Sequence, residues 1–419
     1  MIANACTYHP ASGILGREIV KELSNNSSQW KTVHALSRSK KEDFGSSSVQ
    51  QHHIDLLNSA QDMAKDLSDI SDLKSVEYVF FAAYLQKDSE EENTKVNGDM
   101  LKNFLEALEI TGATSNLKRI ILVTGCKQYG VHLGQPKNPM LETDPWLRDE
   151  SKWPPNFYYR QQDILHSFCG PEGKHKEISW TVTYPNDVIG YVTGNFMNLA
   201  SGMAIYAAVN KELGRDLEFP GSETFYTKFD SFTNSKLHAQ FCAWAALEPK
   251  AANQAFNVVN GDVQSWQDLF PRVAQRFGMK VKADQFAKPA DEKLANKVQM
   301  TEQAPQPVTI LAKECGLEGT DKSVPPSQLE QRISLAKWAE TEEVKSAWNR
   351  LAEREGLQKD ALEKATWAFC DFVLGRSYDL VISMSKAREA GWTGYVDTWK
   401  SLSEVFGELE AAKIIPKTH

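Results

Sequence analysis

Two adjacent tyrosines and one lysine are the residues of this chain with the most pointed chemistry. Tyr158 and Tyr159 lie in AsnPheTyrTyrArgGlnGlnAspIleLeu at 156–165, and Lys127 lies in IleLeuValThrGlyCysLysGlnTyrGly at 121–130. A free tyrosine titrates near a pKa of about 10, too high for a ready acid near neutrality, and a neighbouring ammonium lowers that value by steadying the phenolate. A hydroxyl so tuned can hydrogen-bond a carbonyl oxygen while hydride arrives at a carbon. The same residues also fit a bland account: a tyrosine pair before a helix is often packing, and a loop lysine is often solvated.

The elements around these residues decide whether they can meet. Residues 119–124 read as a buried strand, with Thr124, Gly125 and Lys127 at and just past its C-terminal end, where open α/β sheets take ligands. Further short apolar runs at 32–36, 76–84, 180–184 and 255–259 read as strands, and 96–110 reads as an amphipathic helix. Alternation of this kind predicts an α/β fold, a Rossmann-type doubly wound parallel sheet with a mostly helical C-terminal substrate lobe. The expected division is a NAD(P)-binding domain over 1–264 and a helical cap over 265–419, with contributions from about 190–230. Within the cap, a polar, Pro-containing region at 288–327 precedes helical patterns around 329–356, 358–374 and 398–412.

At 11–24, glycines give way to apolar residues at helical spacing. Gly13 and Gly16, with Ile14 and Leu15 between them, fit the last two glycine places of a dinucleotide fingerprint, where backbone meets diphosphate and helix packs on strand. Pro10 stands where the first glycine belongs, and the preceding AlaAsnAlaCysThrTyrHis is a poor buried strand. Either the loop is altered, or this N-terminus is an imperfect gene model. After the second strand, Arg38 with Ser37 and Ser39 favours NADPH over NAD, because a basic residue there suits the extra phosphate; the alternative is a solvated basic turn. Asp55 is placed for the adenine side or is an ordinary loop carboxylate. Pro185, Asp187 and Val188 follow a strand and are placed to pass near a nicotinamide, although a proline there is also an ordinary loop start. Phe196, Met197 and Tyr206 are candidates for the substrate pocket, whereas Trp244, Trp266, Trp367 and Trp392 read as core.

Composition narrows the partners. The formal net charge is -8, with 41% hydrophobic and 24% charged residues. That balance argues for a small-molecule substrate and against nucleic acid or an anionic membrane surface. Six scattered cysteines without metal-ligand spacing favour a reducing compartment and no metal. Neither a leader segment nor a membrane-length apolar run is evident, so a cytoplasmic location is expected, and a homodimer is left open.

At AsnPheTyrTyr the chain resembles the progesterone 5β-reductase/iridoid synthase-like (PRISE) branch of the extended short-chain dehydrogenases. Typical short-chain dehydrogenases carry Tyr-x-x-x-Lys. This branch lacks that lysine and supplies one from a ThrGly-x-Lys loop, the position of Lys127 here. Further matches include TrpThrValThrTyrProAsnAspValIleGly at 180–190, AlaPheAsnValValAsnGlyAspValGlnSerTrp at 255–266 and SerMetSerLysAlaArgGluAlaGlyTrp at 383–392. The resemblance spans nearly the whole chain and looks closer to fungal than to plant members. Two departures stand out: Tyr184 replaces the usual Arg before Pro, and 131–134 lacks the aromatic pattern of the plant enzymes. The resemblance implies an NADPH-dependent reductase of an enone or carbonyl in secondary metabolism. Its tyrosine would be Tyr159, in register with Asp163, or Tyr158, paired with Lys127. Two other readings compete. An NAD-dependent epimerase or dehydratase normally needs the lysine that Asp163 replaces. A non-catalytic nucleotide sensor has no need of a Tyr/Lys pair.

Overall fold

The computed structural model describes residues 3–8, 13–38, 42–192, 197–300, 305–318 and 327–418, the first of these segments by its backbone alone. Among the described residues, seven strands form one parallel sheet: β1 (Ala3–Tyr8), β2 (Trp30–Ser37), β3 (Val49–His53), β4 (Tyr78–Phe81), β5 (Arg119–Val123), β6 (Ser179–Tyr184) and β7 (Gln254–Asn257). Their order is β7-β6-β5-β4-β1-β2-β3. The chain therefore winds outward from β1 in one direction and then from β4 in the other, which opens a crevice at the carboxyl ends of the strands.

Period-two alternation builds both faces. Tyr78 and Phe80 of β4 join Ile121 and Val123 of β5 on one face, under α1 (Gly16–Asn25) and the helix Ser235–Leu247. Val79, Phe81, Ile120 and Leu122 point to the other, under α2 (Ala60–Ser68), α3 (Glu90–Ile110) and α4 (Phe157–Phe168). The doubly wound sheet expected from the sequence is the one observed.

The differences have physical reasons. Ala3–Tyr8, weak as a strand by composition, is hydrogen-bonded on both sides, to β2 and β4. Ladder pairing overrides a poor propensity there. Pro10, the position that calls for the first glycine, lies outside the described residues. The ValGlnGlnHisHis strand β3 carries no apolar run because it is the sheet edge and only partly buried. Helix α3 starts before residue 96, at Glu90, where Ser89 caps it by accepting from the Glu92 N–H and three glutamates fill the first turn. In the C-terminal part, Gln328–Gln331 is a strand paired antiparallel with Asn296–Gln299, where the pattern reads as the start of a helix.

A second core lies in the C-terminal half. It gathers Met203, Tyr206 and Val209 of the helix Leu199–Glu212 with Trp266, Phe270, Trp338, Trp348 and Phe406. Residues 378–392 leave this lobe and return to the sheet, where Trp392 packs on Phe241 and Trp244. The four tryptophans are thus core in two separate places, since Trp266 packs on Phe219 and Trp367 on Trp338. Among the described residues no helix is long and apolar enough to cross a membrane.

Candidate active site

Helix α4 presents the two tyrosines to different surroundings. Asn156 caps the helix, its side-chain oxygen accepting from the Tyr158 N–H at 3.0 Å, while its Nδ2 donates to the Lys127 carbonyl at 2.9 Å. One residue thus sets the helix start and ties it to the loop after β5. Asparagine at this place in AsnPheTyrTyr is an N-cap with a second task.

Tyr159 is turned into the protein. Its hydroxyl donates to the Gln128 carbonyl at 2.7 Å and accepts from the Leu147 N–H at 3.0 Å, and its ring stacks on Trp146. Burial pushes its pKa up to about 12, against the lowering effect of the Leu147 N–H and Arg148. Asp163, one turn further on, forms an ion pair with Arg148.

Tyr158 points to the sheet. A Cβ added at Gly125 would lie 3.0 Å from the Tyr158 hydroxyl and 3.2 Å from the Pro185 carbonyl oxygen. The backbone after β5, the backbone after β6 and this hydroxyl therefore converge at the carboxyl edge of the sheet. Among the described residues the hydroxyl has no hydrogen-bond partner. Its pKa stands far above the ordinary range because of burial, with Tyr84, Cys126 and Glu90 adding to the rise. It is accordingly a neutral donor at physiological pH.

Lys127 lies in the short turn Cys126–Tyr129. Its Nζ sits between both Glu90 oxygens, at 2.6 and 2.5 Å, and over the Phe157 ring at 5.2 Å. Burial lowers its pKa, and Glu90 opposes that effect. Four residues after Tyr158 stands Gln162, whose Nε2 donates to Gln128 Oε1 and whose Oε1 accepts from the Tyr184 hydroxyl at 2.7 Å. The position one helical turn from Tyr158 is thus filled by an uncharged amide, held by the Tyr184 hydroxyl and Gln128.

The candidates for holding a cofactor follow the carboxyl ends of the strands. Gly13 accepts from the Arg17 N–H at the opening of α1, whose first residue is Gly16, and no side chain caps that helix. Ile14 and Leu15 are buried against the sheet. Ser37 ends β2 and is buried, Arg38 beside it is exposed, and Ser39 lies outside the described residues. Asp55 follows β3, and its carboxylate accepts from the Leu57 N–H at 3.0 Å. Thr124 Oγ1 donates to the Thr183 carbonyl. The Pro185 carbonyl accepts from the Cys126 N–H, and Val188 pairs with Thr233 in a two-residue ladder. The Asp187 carboxylate is held by Arg376. Of the pocket candidates, Tyr206 is buried in the second core with its hydroxyl on the Glu218 carbonyl, Met197 is exposed, and Phe196 lies outside the described residues.

Glu90, Asn156, Gln162 and Arg376 belong to this constellation and were not read from the sequence. Ser89-x-x-Glu92 marked the start of α3 as a capping pattern and could have placed Glu90. Arg376 had no local signal.

Residues 9–321 match the model of the PRISE-like Rossmann-fold domain. An uncharacterized protein of Schizosaccharomyces pombe is 42% identical over 97% of both chains. A 3-oxo-Delta(4,5)-steroid 5-beta-reductase of Arabidopsis thaliana is 27% identical over 97% of this chain and 91% of its own. Among solved structures, the terminal R domain from the myxalamid PKS-NRPS biosynthetic pathway superposes with a TM-score of 0.57 at 12% identity, covering 100% of this chain and 93% of that one, a likeness of fold. The chain belongs to the PRISE-like Rossmann-fold family.

Proposed function

We propose that this chain is an NADPH-dependent oxidoreductase that reduces an enone or carbonyl of a small organic metabolite, with Tyr158 as the group on the substrate oxygen. The carrying observation is the placement of the Tyr158 hydroxyl against Gly125 and Pro185 at the carboxyl edge of β5 and β6. A relative named for a 3-oxo-Delta(4,5)-steroid, itself an enone, supports the substrate class.

The residues fit a dinucleotide. The uncapped start of α1 at Gly13–Gly16 suits a diphosphate, and Ser37 with Arg38 suits a phosphorylated ribose. Asp55 lies on the adenine side, and Thr124, Gly125, Pro185 and Val188 line the nicotinamide end. Bound there, NADPH supplies hydride. Tyr158 donates its hydrogen bond to the carbonyl oxygen, and the proton follows as negative charge grows on that oxygen. Lys127, held in an ion pair by Glu90, is the cation we propose for steadying the resulting phenolate. A lysine-dependent epimerase reading loses support from Gln162, which stands uncharged at the turn after Tyr158. We place the reaction in secondary metabolism and in the cytoplasm, with the small molecule as the partner.

The test is fluorescence titration with NADPH and NADH, then nucleotide consumption over a panel of enones and ketones, for wild type and Tyr158→Phe. Tighter NADPH binding and turnover that collapses in the variant is the expected result. Binding of neither nucleotide at millimolar concentration sinks the reading.

A further inference from the structure

Arg376 is among the largest fully buried side chains of the molecule, at 1% exposure, and it belongs to the C-terminal lobe, two residues beyond the helix Trp367–Leu374. It reaches out of that lobe to the turn that follows β6. Its Nη2 donates to Asp187 Oδ1 at 3.0 Å and its Nη1 to Asp187 Oδ2, a fork-on-carboxylate arrangement that fixes direction as well as distance. Nη1 also approaches Asp230 Oδ2 at 3.4 Å. Asn186 completes the anchorage. Its N–H donates to Thr233 Oγ1 at 2.9 Å and its Nδ2 donates to Asp230 Oδ1 and to the Ser231 carbonyl.

The turn so held is not relaxed. Asp187 has φ of +33°, in a region where side-chain-bearing residues are uncommon and persist when their surroundings over-determine them. Two residues earlier, the Pro185 carbonyl meets Cys126 N–H at 3.0 Å and faces Gly125 beside the Tyr158 hydroxyl. Both oxygens of the Asp187 carboxylate are engaged by Arg376.

We propose that Arg376 is a positioning residue: by gripping Asp187 it holds the Pro185–Val188 turn in its strained shape, so that the turn presents its backbone to the nicotinamide half of the cofactor. This rests on the reading of the site as a nicotinamide dinucleotide site. It makes the C-terminal lobe a determinant of where hydride is delivered, through a contact remote from the substrate.

The experiment compares Asp187→Asn, Arg376→Lys and Asp230→Asn in the full chain. For each, dissociation constants are measured for the reduced dinucleotide that wild type binds more tightly and for its fragment without nicotinamide, 2′,5′-ADP for NADPH or ADP for NADH. Turnover is recorded alongside. Asp187→Asn and Arg376→Lys are expected to weaken the whole dinucleotide about tenfold, as loss of a charged hydrogen-bond pair does, with kcat falling too and the fragment bound as in wild type. Asp230→Asn keeps the oxygen that accepts from Asn186 but loosens the longer second contact of Arg376, and is expected to weaken the dinucleotide clearly less than Asp187→Asn does, with the fragment bound as in wild type. Equal weakening of dinucleotide and fragment, equal effects at Asp187 and Asp230, or no effect at Asp187 each overturns the proposal. Asp187→Asn keeps the side-chain volume and carries the test where Arg376→Lys does not fold. Wild type that binds neither whole dinucleotide nor fragment overturns the nucleotide reading itself, and this inference with it.

Discussion

The two ends of the crevice are built differently. At the end formed by β5, β6 and α4, almost every polar group is tied: Asn156 to Lys127, Lys127 to Glu90, Gln162 to Tyr184 and Gln128, Asp187 to Arg376. Among the described residues the Tyr158 hydroxyl has no such tie. At the other end, past β2 and β3, Arg38 is exposed and Asp55 satisfies its own turn. The contrast separates two tasks. Chemistry needs one group held to a fraction of an ångström by its neighbours, whereas a preference between NADPH and NADH needs little more than a charge at the right edge.

The largest effect that sharpens this comparison is at Tyr158. Tyr158→Phe is expected to lower turnover by about 10²–10⁴-fold, the usual worth of a general acid, while nucleotide affinity stays at the wild-type level. Lys127→Met is expected to lower turnover, by at most about tenfold for each pKa unit by which the ammonium stabilises the phenolate, as single-turnover rates would show. At the loose end, Arg38→Ser is expected to reduce the NADPH-to-NADH affinity ratio about tenfold, comparable to one lost charged hydrogen bond, with kcat untouched. An unchanged ratio would move phosphate recognition elsewhere.

The smallest effects concern folding. Tyr159→Phe strips the Gln128 carbonyl and the Leu147 N–H of their partner, so urea denaturation should show about 1–3 kcal/mol less stability with turnover retained. His34, on β2 beside His52 of β3, has its pKa lowered from 6.5 to about 4 by burial, with His52 adding to the fall and Asp72 opposing it. Because the folded value lies below the unfolded one, the chain in which His34 is neutral is favoured. Its contribution is present above about pH 6.5 and declines as the pH falls towards 4. His34→Gln should flatten the stability profile in that window.

Much of this was legible because it is local. The strands at β4, β5 and β6, the glycines at the head of α1 and the lysine after β5 each announce themselves within a few residues. Strand β1 was not legible because its stability comes from neighbours on both sides, and β3 was not because an edge strand needs no apolar run. The site was half legible. The motif AsnPheTyrTyr marks the helix, but which tyrosine faces the sheet depends on where the Asn156 cap starts it, and a register with Asp163 pointed to Tyr159. In the structure Asp163 is engaged by Arg148 at the surface and Tyr159 by backbone, so the role is proposed for Tyr158. Arg376 and Asp187 are far apart in the chain, and only the folded lobe joins them.

The most direct measurement is single-turnover nucleotide oxidation with an enone substrate, run in parallel on wild type, Tyr158→Phe and Tyr159→Phe at equal, saturating NADPH. The account predicts a collapse of the hydride-transfer rate in Tyr158→Phe and a near wild-type rate in a less stable Tyr159→Phe. The reverse pattern, with Tyr159→Phe silent and Tyr158→Phe active, would contradict it.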